Sequence, residues 1–525
     1  MRTKAERCSR GWGARSSRPL SSASRRRAAS TRVGAPIGAW NLLDQLFGET
    51  PNRATGTVAL PFAGYMFPAN ASILVGLLWC LALLSVIVIG VLHTARLDLL
   101  VVKHYGDRIQ AHYLALAGIE KAKALLYQNA RLRTRSRTSH SGELFNAPDQ
   151  FRDVPFARGQ FRVCRPGRAD EGGGLIYGVS DEESLLNVNY ASADQLKGIY
   201  GMTPDVVAAI NDWRDADNAV TPGGAEAEYY TSLRPPYLQR NGPFQTVREL
   251  LMVRGISREL LLGRNANQNG SGYPAESLSE SAPPENPANL LDSGWASIFT
   301  VDSSIQNVNA AGEDRVNIQS ADESALTSVR GITSDIAKAI IAYRGQNRLE
   351  NLADLLEVAQ VQNQSQPLSQ PGPGAQAGRG GRPAQTVPLP NNPSGPKVVS
   401  EDLFRDIADD LTTESGKDLP GLVNINTAGL IVLSCVPGID RQLAQAIISY
   451  RQSNGFFSNI AWLLKVPGMD REIFKQVAPL LTARSETYRI LSEGRVTSSG
   501  ARQRIQVIVR VGLQDIQTLS YREDL

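Results

Sequence analysis

Five carboxylates crowd one short stretch of this 525-residue chain. Asp212, Asp215 and Asp217 stand close together, and Glu226 and Glu228 come after a Pro222-Gly223-Gly224 turn. Oxygen ligands gathered on a glycine-containing loop suit a hard cation, and calcium takes about six to eight of them. The spacing is not that of an EF-hand loop. The same acids also fit the solvated C-terminus of a helix, so both readings stand at this level. Other chemistry is poorly provided for. Cys8, Cys80, Cys164 and Cys435 are isolated, and His93, His104, His112 and His140 show no ligand spacing. A zinc site, a disulfide framework and a histidine-based catalytic centre are therefore disfavoured, although Cys164 and Cys435 could pair in an oxidising compartment. The chain has no P-loop, GxSxG or HExxH, so no enzyme is expected.

The acidic stretch lies inside a repeat. Three segments align without gaps: Asn187-Val188-Asn189 to Arg214, Asn317-Ile318-Gln319 to Arg344, and Asn424-Ile425-Asn426 to Arg451. Each continues with Ala191, Ala321 or Ala428, a leucine (Leu196, Leu326, Leu433), a glycine (Gly201, Gly331, Gly438) and an aromatic-Arg pair. Each closes on Phe244…Leu250-Leu251, Leu349…Leu355-Leu356 or Phe457…Leu463-Leu464. The pattern predicts a strand end, a helix, a tight turn that needs glycine, and a second helix packed through Ala208, Ala337 and Ala444. It resembles the helix-hairpin-helix module of competence-protein DNA receptors. DNA-binding hairpins of that kind resemble G-[VI]-G, where backbone N–H groups receive a phosphate. Here the second glycine is replaced, in Gly201-Met202-Thr203, Gly331-Ile332-Thr333 and Gly438-Ile439-Asp440. The first unit, Leu185–Gly263, holds seven basic and nine acidic residues. Packing or protein contact is therefore expected rather than nucleic-acid binding.

Upstream, Ile73 to Leu92 carries no charge, and about 1.5 Å of rise per residue makes it span a bilayer. The overall charge of +4 hides an asymmetry: residues 1–53 hold eleven Lys/Arg against three Asp/Glu. This bias predicts a cytoplasmic amino terminus and an exported remainder. No proline interrupts Pro68 to Pro148, and apolar spacing continues through Leu100, Val101, His104, Tyr113 and Ala117. A long helix, half span and half amphipathic stem, is expected to reach Tyr127.

The motif Asp212-Trp213 with Asp215 and Asp217, then Gly223-Gly224-Ala225-Glu226, Tyr229-Tyr230 and Asn241-Gly242-Pro243-Phe244, resembles the general secretion pathway protein K family, the large minor pseudopilin of type II secretion. Ala111–Tyr127 is similar to that family's stem. The resemblance implies a single-pass inner-membrane protein with its C-terminal bulk in the periplasm. It implies a place at the pseudopilus tip with minor pseudopilins I and J, initiation of assembly, and contact with secretin or cargo. It also implies calcium on Asp212, Asp215, Asp217, Glu226 and Glu228. The family lacks the glutamate of other pseudopilin helices, and here no acid occurs between Glu49 and Asp98. Two features depart from the pattern. Prepilin peptidase cuts after a glycine, whereas Pro68-Ala69-Asn70-Ala71-Ser72 stands before the span, and the Arg/Ser-rich arm is long. The alternative reading is a membrane-tethered periplasmic DNA receptor of the competence type.

The expected fold class is α+β: a pilin-like transmembrane helix and small antiparallel sheet with inserted helix-hairpin-helix α-domains. Gln160–Arg165 and Leu175–Val179 read as one hairpin, and Thr487–Val496 with Arg502–Val511 as another, its buried face marked by Ile505, Val507, Val509 and Val511. These patterns divide the chain into a basic, disordered arm over 1–69, span and stem over 70–140, and the first part of the sheet over 141–183. The hairpin units occupy 184–265, 315–359 and 401–484. Between them lie connecting strands over 266–314, including a short linker at Asn267–Pro287, and a Pro/Gly/Gln linker over 360–400. Residues 485–525 close the sheet.

Overall fold

In the computed structural model the described residues are 69–137, 144–263, 294–359 and 396–523. Of the arm expected over 1–69 all but Ala69 lies outside them, as do the linker at 267–287 and residues 360–395 of the linker expected over 360–400, whose last residues are instead structured, with Lys397 bridging to Ala359 and Val399 buried. The chain divides into two units, Met1–Ile87 and Val88–Leu525. The first is described only as the beginning of an α-helix, Ala69–Ser136, whose 68 residues contain no proline. Among the described residues this is the one helix long and apolar enough to cross a membrane. It runs nine residues beyond the expected Tyr127, because Gln128 to Ser136 contains neither proline nor glycine.

In the second unit the helix becomes a stem with one buried face. Ala111, Ala115, Ile119, Ala122, Leu126 and Ala130 recur every three or four residues and are all buried. They meet a six-stranded antiparallel sheet in the order β1 (Val154–Phe156), β2 (Gly159–Val163), β4 (Thr487–Val496), β5 (Arg502–Val511) and β6 (Ile516–Arg522). A short β3 (Ser180–Asp181) also pairs with β4. Stem and sheet approach closely at three glycines. A Cβ on Gly494 would collide with the Ala111 carbonyl and sit 2.8 Å from Leu114 Cβ. One on Gly118 would strike Ser492 Oγ, and one on Gly159 would lie 2.5 Å from Leu114 Cδ1.

Both ends of the chain build this sheet, as the alternating patterns predict, and Ile505, Val507, Val509 and Val511 face the core. Two details differ. Gly159–Val163 pairs with Val154–Phe156 and β4, and only Arg165–Pro166 pairs with Leu175–Ile176. A simple 160–179 hairpin does not form because β4 already occupies that edge, with Val163 opposite Ser492. The C-terminal hairpin also gains a third strand, β6, whose mostly exposed pattern gives little alternation to read.

The repeats are helix pairs: Ala193–Lys197 with Pro204–Arg214, Glu323–Ser328 with Ser334–Gln346, and Leu430–Ser434 with Arg441–Asn454. Gly201, Gly331 and Gly438 hold φ of 82°, 103° and 94°, the left-handed region that glycine enters without a Cβ penalty. A second, shorter hairpin comes next in each, from Val247–Met252 to Arg258–Leu262, Leu352–Glu357 to Glu401–Ile407, and Ile460–Lys465 to Arg471–Val477. A returning two-residue strand then pairs in parallel with the entry strand: Leu186–Asn187 with Phe299–Thr300, Val316–Asn317 with Leu411–Thr412, and Val423–Asn424 with Leu481–Thr482. The second module therefore closes after residue 400. Leu411–Thr412, which spacing assigns to the third unit, completes the second, and residues 360–395 fall between the two halves of its second hairpin.

Two repeated bonds hold each module. The guanidinium of the aromatic-Arg pair reaches back to two carbonyls: Arg214 to Val188 and Ala191, Arg344 to Ile318 and Ala321, Arg451 to Ile425 and Ala428. The third residue of each Asn-x-[Asn/Gln] run bonds the closing segment: Asn189 to Phe244, Gln319 to Leu349, Asn426 to Phe457. These buried main-chain groups are thereby satisfied, which matters more than the modest net strength of each bond.

Candidate metal centre

The first module differs from the others beyond the end of its long helix. Pro204–Arg214 ends where Asp215 turns extended, at φ −76° and ψ 173°. Arg214 is drawn back onto the Val188 and Ala191 carbonyls, which leaves Asp212 and Asp215 facing the inserted loop. Trp213 anchors that helix end. It packs edge-on to Tyr230 at 5.2 Å and stacks on Phe244 at 6.2 Å, and its Nε1 donates to Glu249 at 3.1 Å.

The loop then folds over Asp212. The Thr221 N–H donates to both carboxylate oxygens, at 3.3 and 3.2 Å, and Gly224 N–H bonds the Thr221 carbonyl at 2.7 Å. Any Cβ at Gly224 would overlap Asp212 Oδ2, so the loop needs glycine for close approach. Glu226 stands at the N-cap of Ala227–Ser232, yet its side chain makes no cap bond. Its Oε2 instead accepts from Gln239 Nε2 at 2.5 Å.

Asp212, Asp215 and Glu226 come together: one carboxylate oxygen from each lies within 4.8 Å of the others. Asp212 and Glu226 are buried, Asp215 half-buried. None of the three forms an ion pair among the described residues. Asp215 Oδ1, Glu226 Oε1, Gln239 Oε1 and Asn241 Oδ1 are buried without a hydrogen-bond partner. Burial, followed by the neighbouring acids Asp217 and Asp212, raises the Asp215 pKa above its usual range. Burial, followed by Asp212 and Asp215, does the same for Glu226. Converging carboxylates and orphaned amide oxygens, with no nitrogen or sulfur donor in the set, fit a hard divalent cation.

Two of the five expected acids lie outside this cluster. The Asp217 carboxylate accepts from Ala219 N–H at 2.8 Å, and its carbonyl accepts from Asn241 Nδ2 at 2.8 Å. Glu228 is exposed, because two helical residues beyond Glu226 it points to a different face. Gln239 and Asn241 are additions that charge and spacing do not reveal. Asn241 lies in the Asn-Gly-Pro-Phe motif, and its φ of 48° is the unusual backbone of a residue with a positional task.

The other candidates separate. Cys164 and Cys435 are free and buried in different cores, so they do not pair. Burial pushes the Cys164 thiol up to about 11 and the Cys435 thiol to about 12. At the three hairpin turns, Thr203, Thr333 and Asp440 accept from the N–H of Val206, Ile336 and Leu443. The helix N-termini that would receive a phosphate are thus capped by the chain's own side chains.

Comparison with known proteins agrees with this architecture. Residues 187–263 match the family model described as type II secretion system protein K, and residues 312–365 and 421–482 match the helix-hairpin-helix motif. Type II secretion system protein K of Aeromonas hydrophila is 49% identical over 53 residues, 10% of this chain and 16% of that protein. ComE operon protein 1 of Bacillus subtilis is 40% identical over 63 residues, 12% of this chain and 31% of that protein. The bovine endonuclease/exonuclease/phosphatase family domain-containing protein 1 is 25% identical over 203 residues, 37% of this chain and 32% of that protein. The chain thus spans less than a third of the length of these curated relatives. Among solved structures, a chain of the GspK-GspI-GspJ complex from enterotoxigenic Escherichia coli aligns over 80% of this chain and 98% of its own, at 12% identity and a TM-score of 0.39. Residues 187–263 are thus similar to type II secretion system protein K, and residues 312–365 and 421–482 to the helix-hairpin-helix motif.

Proposed function

We propose that this chain is the large minor pseudopilin of a type II secretion machine, anchored by the helix that begins at Ala69 and placed at the tip of the pseudopilus. The observation that carries this reading is the protein K match over residues 187–263, the segment in which Asp212, Asp215 and Glu226 converge. Its partners are minor pseudopilins I and J. It initiates assembly of the pseudopilus in the inner membrane, with its bulk in the periplasm, and supports export across the outer membrane. The work is non-covalent: the stem packs among other stems, and the three modules form a cap too large to be stacked upon. No enzymatic step is assigned to it.

The acid cluster holds calcium in this reading, on Asp212, Asp215 and Glu226, with Gln239 and Asn241 within the same loop system. Bound calcium supplies the positive charge that these carboxylates lack. Asp212 and Glu226 then tie the helix end at Arg214 to the loop that ends at Phe244.

The test is co-purification of the full-length chain from membranes. Recovery with pseudopilins I and J, and no retention of DNA at low salt, supports the reading. DNA affinity that falls steeply with added salt, without I and J, replaces it with the tethered-receptor alternative.

A further inference from the structure

Three consecutive acids, Asp181-Glu182-Glu183, lead from β3 into the first module, and all are buried, at 3%, 0% and 1% exposure. Buried carboxylates ordinarily take a cation as partner. Glu182 has one: Arg489 of β4 lies 2.7 Å away, and Thr300 Oγ1 also donates to it. Asp181 and Glu183 have no Arg or Lys within ion-pairing distance among the described residues.

Their hydrogen bonds differ in kind. Asp181 accepts from four donors: Glu183 N–H at 2.9 Å, Asn424 Nδ2 at 3.1 Å, Ser485 Oγ at 2.6 Å, and Thr427 Oγ1. Glu183 accepts from Ser304 N–H at 3.2 Å and from Thr487 N–H, which spans both its oxygens at 3.2 and 3.1 Å, and its carboxyl meets that of Asp181. Two adjoining carboxylates in a dry site do not both stay ionised without a cation. The donors around Asp181 hold the negative charge there, so the proton stands on Glu183 and is donated to Asp181. Burial, followed by the Asp181 charge, pushes the Glu183 pKa well above the carboxylate range. The partners come from separate elements. Ser304 follows the first module's returning strand, Thr487 opens β4, Asn424 and Thr427 enter the third module, and Ser485 leaves it. The carboxyl pair therefore joins two modules to the sheet.

The other charged groups at the junction are engaged in their own contacts. Glu486, beside Arg484, accepts from Gln306 N–H at 2.8 Å. Arg510 bonds Ser304 Oγ and Asp418. Arg133 and the Tyr488 hydroxyl both donate to the Ser485 carbonyl, at 3.4 and 2.8 Å. Asp302 is pushed up to about 6 by burial and then by the Glu182 charge, with Arg489 opposing.

We propose that the Glu183 carboxyl is a proton-operated clasp: protonated, it bonds Asp181 and closes the first and third modules onto the sheet; ionised, it repels Asp181 and lets the junction open. The clasp is separate from the acid cluster and depends neither on calcium nor on the pseudopilin reading. Its sign is fixed. The folded protein holds this proton more tightly than the unfolded chain, so the contribution is full below about pH 4 and is lost as pH rises.

The test compares the full-length chain in detergent with Glu183→Gln, which supplies a permanent N–H donor where the proton stood. Between about pH 5 and about pH 9 the melting temperature of the unaltered chain is expected to fall by about 2–5 °C more than that of Glu183→Gln. Titrations elsewhere, the acid cluster included, are common to both proteins and cancel in the difference. Asp302→Asn is expected to keep the extra fall. Hydrogen exchange of the unaltered chain needs no variant to fold. Segments 180–187 and 423–427 are expected to lose protection about fivefold or more over the same pH range, after correction for the intrinsic exchange rate, while 502–511 in β5 keeps its protection. Parallel melting profiles for the chain and Glu183→Gln, loss of the extra fall in Asp302→Asn, or unchanged protection at 180–187 and 423–427 overturns the assignment.

Discussion

Asn426 and Phe457 exchange two hydrogen bonds: the Asn426 amide donates to the Phe457 carbonyl at 2.9 Å, and the Phe457 N–H donates to Asn426 Oδ1 at 2.7 Å. Asn189 and Phe244 make the same reciprocal pair in the first module, at 3.0 and 2.7 Å. The motif that opens each of these hairpin units is therefore the latch for the segment that closes it. In the first module that latch also ends the loop bearing the acid cluster.

Asn426→Ala removes the latch and leaves buried main-chain groups at Phe457 unpaired. A loss of about 2–3 kcal/mol is expected, the range for orphaned buried polar groups. Denaturant unfolding of the full-length chain measures it. Asn454→Ala, whose amide bonds Tyr450 on an exposed helix end, serves as the control and should shift the stability by less than about 0.5 kcal/mol.

Arg451→Lys keeps the charge and loses the fork. Arg451 holds the carbonyls of Ile425 and Ala428 and also Asp170 at 3.0 Å, three acceptors that one ammonium on a flexible stem cannot reach together. About 1–2 kcal/mol of destabilisation is expected in denaturant unfolding, with Arg451→Met worse because the two carbonyls lose every donor from that side chain and Asp170 keeps only Arg168.

Gly494→Ala tests how the stem seats on the sheet. The added methyl meets the Ala111 carbonyl and the Leu114 side chain, so it must push the stem off β4. Thermal melting should register a cost of about 1–3 kcal/mol from overpacking. Gly500→Ala, at a β-turn with open space around it, should cost less despite its φ of 71°.

The acid cluster makes a pH prediction with a definite sign. The folded-state pKa values of Asp215 and Glu226 are raised, so each proton is bound more tightly in the folded state. In the metal-free protein this contribution is full below the ordinary carboxylate range, about pH 4, and is lost as pH rises through the raised values. Melting of the chelator-treated protein should therefore fall on going from about pH 4.5 to 7 by more than that of Asp215→Asn. Millimolar calcium should raise the melting temperature at pH 7 and progressively less towards about pH 4.5. Glu228→Gln should leave the calcium response unchanged, whereas Glu226→Gln should remove most of it.

Much of this architecture is legible in the residues. The positive φ of Gly201, Gly331 and Gly438 is expected from equal spacing, and the buried face of β5 from alternation. The features that escape are non-local. Arg214, Arg344 and Arg451 are visible as a repeated residue type, but their carbonyl acceptors lie more than twenty residues earlier, beyond any local pattern. Strands such as Leu411–Thr412 are too short to alternate, so the second module's closure beyond residue 400 leaves no periodic trace. At the acid cluster, charge alone cannot separate Asp215 from Asp217. The loop's return brings Gln239 beside Glu226 and turns the Asp217 carboxylate to Ala219.

The most direct measurement is affinity purification of the full-length chain, solubilised from cells that express the whole secretion machine, with the co-purifying proteins identified by mass spectrometry. Minor pseudopilins I and J in near-equal amounts are the expected result, lost when Gly494→Ala displaces the stem. Recovery of the chain alone, or with DNA that is released by salt, would contradict its placement in the pseudopilus.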